Sequence, residues 1–224
     1  MKLYFSNGSP FARKVRIVLA EKALAFDRDL DNGLRSPGSI PSPAMAIPVL
    51  EDGAVTIWES DLIVDYLLRT YPDASPRPTD SALPLLSPWL ARPEHHWQDM
   101  TTLATIASCA GSIVNLRLMQ SDGITPANSD YQARQKTRVE RCLDWLEDRV
   151  TDEGFAPGWF SVMDIGLICP LAFCETRGVL PWRGRPKLEA LYERHQSRPS
   201  LLATPINVLP PLVPRYSVER KENV

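Results

Sequence analysis

Two short apolar runs separated by a turn signal form the clearest pattern in this chain. The segment Ile47-Pro48-Val49-Leu50 is followed by Asp52-Gly53 and then by Val55–Trp58. An Asp-Gly pair between two β-rich runs predicts a β-hairpin. Pro48 then stands where the first strand begins and Glu59-Ser60 where the second ends, so we expect them at the same end of the hairpin. A proline without an N–H, facing a helix start that carries a hydroxyl, is typical of a small-molecule site.

The flanking residues extend this pattern to a mixed unit of strands and helices over residues 1–75. Leu3 and Phe5 alternate with more polar neighbours, which predicts a first strand, and residues 26–30 are predicted as a second. Ser9 before Pro10 is typical of a helix start, because serine is a preferred N-cap and proline suits the first helical position. The expected order is strand–helix–strand followed by strand–strand–helix.

Both helices of this unit have an apolar face. In the first helix, the face expected in the core is made by Phe11, Val15, Val18 and Leu19. The charged positions of the same helix are expected to face water, namely Arg13, Lys14, Arg16 and Glu21. In the second helix, which begins at Ser60, the inner face is predicted to contain Ile63, Val64, Leu67, Leu68 and Tyr71.

The second half of the chain is predicted to be helical, in four segments at about 89–119, 128–150, 162–177 and 185–197. The third segment has the strongest local signature. Ser161 and Asp164 resemble a capping box, and Phe160 and Ile165 are placed for a hydrophobic staple. We interpret Asp164 as structural rather than catalytic. Pro170 inside the segment predicts a kink.

Clusters of proline mark the boundaries between these parts. The chain has 21 prolines, and one cluster separates the mixed unit from the helical one. We therefore predict domains at 1–75 and 89–204, joined by a linker at 76–88. A second cluster lies in the tail at 205–224, and the sequence does not decide whether this tail docks.

Composition and charge argue against several classes of protein. The net charge of −2 gives no basic footprint for nucleic acid, and 44% hydrophobic residues is ordinary for a soluble protein. No apolar run approaches the roughly 20 residues of a membrane span, and the N-terminus shows no secretory signal.

The four cysteines form no CxxC pair and are expected to be buried thiols, so we predict a cytoplasmic protein. Adjacent His95 and His96 point to different helix faces, so we predict no metal site.

Taken together, these elements resemble the glutathione S-transferase superfamily, in its serine-type, bacterial-like cytosolic form. The resemblance rests on Ser9-Pro10-Phe11, Ile47-Pro48-Val49-Leu50, Glu59-Ser60 and the Ser161-Val162-Met163-Asp164 box, and it covers nearly the whole chain. It implies an α/β thioredoxin-like N-terminal domain followed by an all-α helical-bundle C-terminal domain. It also implies a homodimer with the first domain of each chain packed on the second domain of the other.

The same resemblance implies glutathione as co-substrate. In this family the bond before Pro48 is cis, which leaves the backbone of Ile47 free to pair with glutathione like an added strand. Glu59 would face the γ-glutamyl ammonium. Ser60, with the N–H groups of its helix start, would hold the γ-glutamyl carboxylate. A simple N-cap role is the alternative for Ser60.

The family's Ser-Pro-Phe motif assigns the catalytic role to Ser9. Its hydroxyl would donate a hydrogen bond to the glutathione sulfur, with Ser6 as a rival hydroxyl and an ordinary N-cap role as the alternative. The implied reaction is conjugation of the thiolate to a small hydrophobic electrophile, a detoxification reaction. Phe11, Met100 and Ala104 are expected to border the electrophile pocket.

The chain departs from the family pattern before Pro48. Met45-Ala46 stands where the family usually has a glycine and often a lysine or glutamine that binds the glycyl carboxylate. Arg35 is a candidate to reach that carboxylate instead. Two alternatives therefore stay open: a glutathione-dependent lyase, isomerase or etherase, and a non-catalytic binding or interaction protein of the same fold.

Overall fold

Four strands form one mixed sheet in the N-terminal unit. A computed structural model describes residues 1–30, 40–71, 85–86 and 93–206. The strands β1 (Lys2–Tyr4), β2 (Asp27–Asp29), β3 (Val49–Asp52) and β4 (Val55–Trp58) lie in the order β2-β1-β3-β4. β1 pairs in parallel with β2, whereas β3 pairs antiparallel with both β1 and β4. The predicted hairpin and the strand–helix–strand order are confirmed.

Two helices pack their apolar faces against this sheet. They are α1 (Pro10–Glu21) and α2 (Ser60–Thr70). The shared core consists of fully buried side chains from the sheet and both helices, among them Leu3, Phe5, Leu50, Val15, Val18, Ile63, Val64 and Leu67. The apolar faces predicted for both helices are therefore largely the ones that the fold buries.

The helical unit follows a short 3-10 turn at Pro93–His95. Its helices are α3 (His96–Ser121), α4 (Asp130–Glu147), α5 (Val162–Arg177), α6 (Pro186–Arg194) and α7 (Pro199–Leu202). A short parallel pair that the sequence did not predict joins β5 (Leu85–Leu86) to β6 (Phe160–Ser161). The four predicted helices are present, with α3 starting later than expected. The predicted linker at 76–88 and the tail at 205–224 lie largely outside the described residues, so the domain boundaries stay predictions.

The prediction that the charged side of α1 faces water is wrong. Arg13, Lys14 and Arg16 are only 5–6% exposed. The helix is covered on its second side by α5 and α7 of the helical unit, and the simple amphipathic reading assumed one buried face. Arg13 donates from Nε to the carbonyl of Thr204 at 2.8 Å.

Glu21, the fourth charged residue of α1, also binds the helical unit. Its carboxylate accepts two hydrogen bonds from Arg198, at 2.7 and 2.8 Å, and one from the Ser200 hydroxyl. Both partners of this ion pair are nearly buried. A bidentate Arg–carboxylate pair fixes orientation as well as distance, so it helps to set the angle at which the two units meet.

One helix is more apolar than the sequence analysis allowed. By length and composition the segment Pro93–Ser121 could cross a membrane, so the expectation that no apolar run approaches that length is wrong. Within this segment, α3 packs against both α4 and α5. A buried core helix satisfies the same criterion, and the burial of Ile106, Cys109 and Ile113 fits that role.

The predicted capping box at the start of α5 is confirmed. The Ser161 hydroxyl accepts from the Asp164 N–H at 3.1 Å, and Asp164 Oδ2 accepts from the Ser161 N–H at 2.7 Å. Asp164 Oδ1 also accepts from the Phe155 N–H at 3.0 Å. Burial raises the pKa of Asp164 to about 6, against the opposing effect of these hydrogen bonds. Gly154 has a φ of +105°, and a Cβ there would lie 2.9 Å from Oδ1, so the carboxylate is closely enclosed.

We expect Asp164→Ala to lower the free energy of unfolding by about 3 kcal/mol or more, because it leaves buried N–H groups without acceptors and removes a cap. Urea unfolding measures the loss. The matched control is Ser129→Ala, which removes the N-cap of α4 and its 3.4 Å bond to the Gln132 N–H. That variant should lose only about 1 kcal/mol. Equal losses in the two variants would contradict the structural role of Asp164.

A buried histidine lies where the two units meet. The His195 side chain packs against Phe160, with 4.5 Å between the ring centroids, and its Nε2 has no hydrogen-bond partner among the described residues. Burial, together with the charges of Arg198 and Arg194, lowers the pKa of His195 from 6.5 to about 4. The folded chain therefore holds this ring neutral at pH values where the unfolded chain protonates it.

We expect His195 to make the protein less stable as the pH falls from about 6.5 to about 4, by at most about 3 kcal/mol, because only the unfolded state binds the proton in that window. Asp164 acts in the opposite direction between about pH 4 and 6, since its raised pKa lets the folded state hold a proton that the unfolded state has lost. The measurement is thus the difference in unfolding free energy between the natural protein and His195→Gln, at several pH values. A difference that does not change with pH would exclude a role for His195.

Candidate functional site

A cleft opens at the end of the β3–β4 hairpin, where the sequence analysis expected a small-molecule site. It has a volume of about 130 Å³ and is lined by Phe11, Ala44, Ala46, Ile47, Pro48, Trp58, Glu59 and Ser60. Val49 pairs directly with Trp58, so the residues before β3 and after β4 lie side by side. Pro48 and Glu59-Ser60 therefore meet as predicted.

The backbone before β3 is turned by a cis peptide bond between Ile47 and Pro48. This confirms the conformation that the family resemblance implied. No turn, loop or side-chain hydrogen bond to Ile47 occurs among the described residues. Ile47 lines the cleft, and a ligand could pair with its backbone in the manner of a strand.

The start of α2 forms the opposite side of the cleft. Glu59 occupies the N-cap position with a φ of +71°, an uncommon conformation for a residue with a side chain, and its side chain makes no capping bond. Ser60 is the first helical residue and is 5% exposed. The alternative that Ser60 is a simple N-cap is therefore wrong. Within the part of the chain that the structure describes, no side chain caps the start of α2, which is the arrangement that binds anions at helix starts.

Ser9 caps α1 and keeps a hydrogen to donate. Its Oγ accepts from the Ala12 N–H at 3.2 Å, so the N-cap interpretation is confirmed. No described acceptor takes the hydroxyl hydrogen itself, and a serine oxygen can accept and donate at once. Ser9 is half-buried and does not itself line the cleft, but Phe11, two residues further on, does. The rival hydroxyl, Ser6 Oγ, accepts from the Gly8 N–H at 3.2 Å within the same turn.

A second, narrower slot lies on the other side of Phe11, between α1 and the helical unit. Its volume is about 10 Å³, close to the room of one water molecule. It is lined by Pro10, Phe11, Lys14, Ile106, Ala107, Ala110, Gly166 and Pro170. Phe11 thus separates the cleft from the slot and forms a wall of each.

The predicted electrophile-pocket residues on α3 lie elsewhere on that helix. Met100 and Ala104 are exposed and line neither the cleft nor the slot. The α3 residues of the slot are Ile106, Ala107 and Ala110, which the sequence analysis missed. They have no motif, and their position depends on how α3 packs against α1.

The sequence departure at Met45-Ala46 is visible in the cleft. Ala46 lines it, and Met45 is 62% exposed. Neither side chain can pair with a carboxylate. Arg35, the candidate replacement, lies outside the described residues.

Cysteine and histidine offer little chemistry near the cleft. Burial raises the pKa of the Cys169 thiol to about 11 and that of Cys174 to about 12. All four cysteines are free thiols. Within the described residues, no group of three or more His, Cys, Asp or Glu side chains is placed to hold a metal ion.

Comparison with known proteins agrees with this geometry. Residues 3–76 match the family model for the glutathione S-transferase N-terminal domain, and residues 129–194 match that for the C-terminal domain. The uncharacterized GST-like protein YibF of Escherichia coli K12 is 30% identical, over 91% of this chain and 98% of its own length. The chain belongs to the glutathione S-transferase superfamily.

Solved structures with bound ligands share the fold. A glutathione S-transferase of Methylobacterium radiotolerans in complex with glutathione sulfonate is 25% identical, with a TM-score of 0.77 over 96% of this chain and 98% of that one. A glutathione S-transferase of Methylobacillus flagellatus with glutathione bound is 27% identical, with a TM-score of 0.68 over 91% and 98%. The thioredoxin-like unit followed by a helical unit is thus the arrangement of this family.

Proposed function

We propose that this protein is a glutathione S-transferase that conjugates the glutathione thiolate to a small hydrophobic electrophile. The observation that carries the proposal is the convergence of Ile47, Pro48, Glu59 and Ser60 on one cleft at the start of α2. Similar proteins with glutathione or glutathione sulfonate bound support the choice of ligand. Electrophiles of this class fit a detoxification role in the cytoplasm.

Each end of the cleft suits one part of the tripeptide. The backbone of Ile47 pairs with the cysteinyl part, Ser60 and the N–H groups of α2 hold the γ-glutamyl carboxylate, and Glu59 faces the ammonium. The electrophile binds on the far side of Phe11, in the direction of α3, the helix that also carries Met100 and Ala104. The slot there is narrow, so a bound electrophile either widens the slot or binds at its opening.

Ser9 supplies the thiolate stabilisation that conjugation needs. A cysteine thiol has a pKa of about 8.5, so only about 3% is ionised at pH 7. Lowering that pKa by about 2 units takes about 2.7 kcal/mol of selective stabilisation. A hydrogen bond to a charged group supplies about 1.5–3 kcal/mol, and a helix start adds roughly 0.3–1 kcal/mol. A hydroxyl that caps α1 and still has its hydrogen to donate is sufficient in magnitude.

A second candidate is a non-catalytic glutathione-binding protein of the same fold. Met45 and Ala46 favour it, because they offer no charge to the glycyl carboxylate. Losing one charged contact costs roughly ten- to hundredfold in affinity. A glutathione-dependent lyase, isomerase or etherase would use the same thiolate and differs only in the second substrate.

We expect Ser9→Ala and Ser60→Ala to separate catalysis from binding. Ser9→Ala should bind glutathione within about threefold of the natural protein, raise the pKa of the bound thiol by about 1–2 units and lower turnover about ten- to hundredfold near neutral pH. Ser60→Ala should weaken binding about tenfold and leave the bound thiol's pKa unchanged. Calorimetry gives affinity, ultraviolet thiolate absorbance gives the pKa, and a chlorinated nitroaromatic gives turnover.

The matched control is Ser6→Ala, which removes the rival hydroxyl. Its glutathione affinity and its turnover should each stay within about twofold of the natural protein. Undetectable binding at millimolar glutathione would overturn the transferase proposal. Binding without turnover on any electrophile tested would favour the non-catalytic candidate. If Ser9→Ala turns over as fast as the natural protein, Ser9 does not have the proposed catalytic role.

We also propose a homodimer. Exposed apolar side chains on the N-terminal unit, at Val55, Trp58 and Leu62, support an interface. Light scattering should give a mass near twice the chain mass of 25.1 kDa. A mass equal to that of one chain at micromolar concentration would contradict the dimer.

A further inference from the structure

A buried lysine reaches from α1 to the start of α2. Lys14 is 6% exposed, and its Nζ lies 2.5 Å from Oδ1 of Asp61. Asp61 is the second residue of α2 and follows Ser60 directly, with 45% of its side chain exposed. The proposed binding of glutathione uses neither residue.

Asp61 creates an electrostatic conflict at the helix start. Its carboxylate belongs to the first turn of α2, where the positive end of the helix dipole and the free N–H groups lie. These are the same features that would bind the γ-glutamyl carboxylate. An unpaired Asp61 would repel that carboxylate and compete for the same N–H groups.

We propose that Lys14 is a positioning residue that holds and neutralises Asp61, so that the start of α2 can accept a second carboxylate. The inference rests on the proposed function, because it names how the glutathione cleft tolerates an acid beside Ser60. Lys14 acts through Asp61 and does not touch the ligand.

The packing of the two units holds Lys14 in place. Its stem lines the narrow slot with Ile106 and Gly166. A Cβ added at Gly166 would lie 3.3 Å from Ile106 Cγ2 and 4.0 Å from Lys14 Cδ, so the backbone of α5 passes close to both side chains. A side chain enclosed in this way loses little further freedom when it pairs with Asp61. The ammonium is therefore presented to α2 at a fixed point.

A double-mutant cycle on glutathione affinity tests the proposal. Lys14→Met keeps the length of the side chain and should weaken glutathione binding about five- to tenfold, since it leaves the Asp61 charge uncompensated. Asp61→Asn alone should stay within about twofold of the natural protein. Lys14→Met combined with Asp61→Asn should recover binding to within about twofold. Because Lys14 also lines the slot, turnover at saturating glutathione is compared between Asp61→Asn and the natural protein, and it should be nearly the same in these two.

Two controls separate this effect from a structural one. Lys136→Met removes a lysine from an exposed pair with Glu140 on α4 and should not change affinity. Cysteinylglycine, which lacks the γ-glutamyl group, should show no difference across the cycle. If Lys14→Met does not fold, Lys14→Gln takes its place in the cycle.

Three results would overturn the inference while leaving glutathione binding intact. The first is a Lys14→Met variant that binds glutathione as tightly as the natural protein. The second is a double variant that binds no more tightly than Lys14→Met, and the third is an Asp61→Asn variant that binds as weakly as Lys14→Met. The last would mean that Asp61 binds the ligand's ammonium directly. Absence of glutathione binding in the natural protein would overturn the proposed function and this inference together.

Discussion

The site depends on the burial of helix α1 on both of its sides. One side packs on the sheet, and the other places Arg13 and Glu21 against the helical unit. Burying charged groups is unfavourable unless each one is paired or hydrogen-bonded. Arg13 donates to the Thr204 carbonyl, and Glu21 accepts from Arg198 and Ser200. Such directional contacts add little net stability compared with an apolar interface, but they permit few relative orientations of the two units.

This constraint places three functions on one rigid element. Ser9 lies at the start of α1, Phe11 forms the wall between the cleft and the slot, and Lys14 reaches the first turn of α2. Sites built on helices keep their geometry better than sites built on loops. The proposed thiolate donor, the wall of the electrophile site and the electrostatics of α2 are therefore fixed relative to each other by a single helix.

The parts predicted correctly are those with local signals. The Asp52-Gly53 turn set the hairpin, which brought Pro48 beside Glu59-Ser60, and the spacing of Ser161 and Asp164 identified the capping box. The charged side of α1 was placed wrongly because its partners are distant, with a sequence separation of 191 for Arg13 and Thr204 and of 177 for Glu21 and Arg198. A periodic pattern identifies a buried face but gives no sign of a second one. Ala107 and Gly166 were missed for the same reason, because the role of a small residue depends on which distant elements pack against it.

Recognition of a charged tripeptide by the described residues is unequal at its two ends. In the proposed binding mode, Ser60 and the first N–H groups of α2 face the γ-glutamyl part, whereas Ala46 and exposed Met45 offer no charge at the other end. Pairing with the Ile47 backbone is insensitive to side chains and discriminates weakly. Affinity and specificity for the proposed ligand therefore come mainly from the α2 end, where Lys14 balances Asp61. Because the same helix that carries Lys14 begins at the capping Ser9, the proposed mechanism makes the contact between α1 and α2 control both the binding of glutathione and the activation of its thiol.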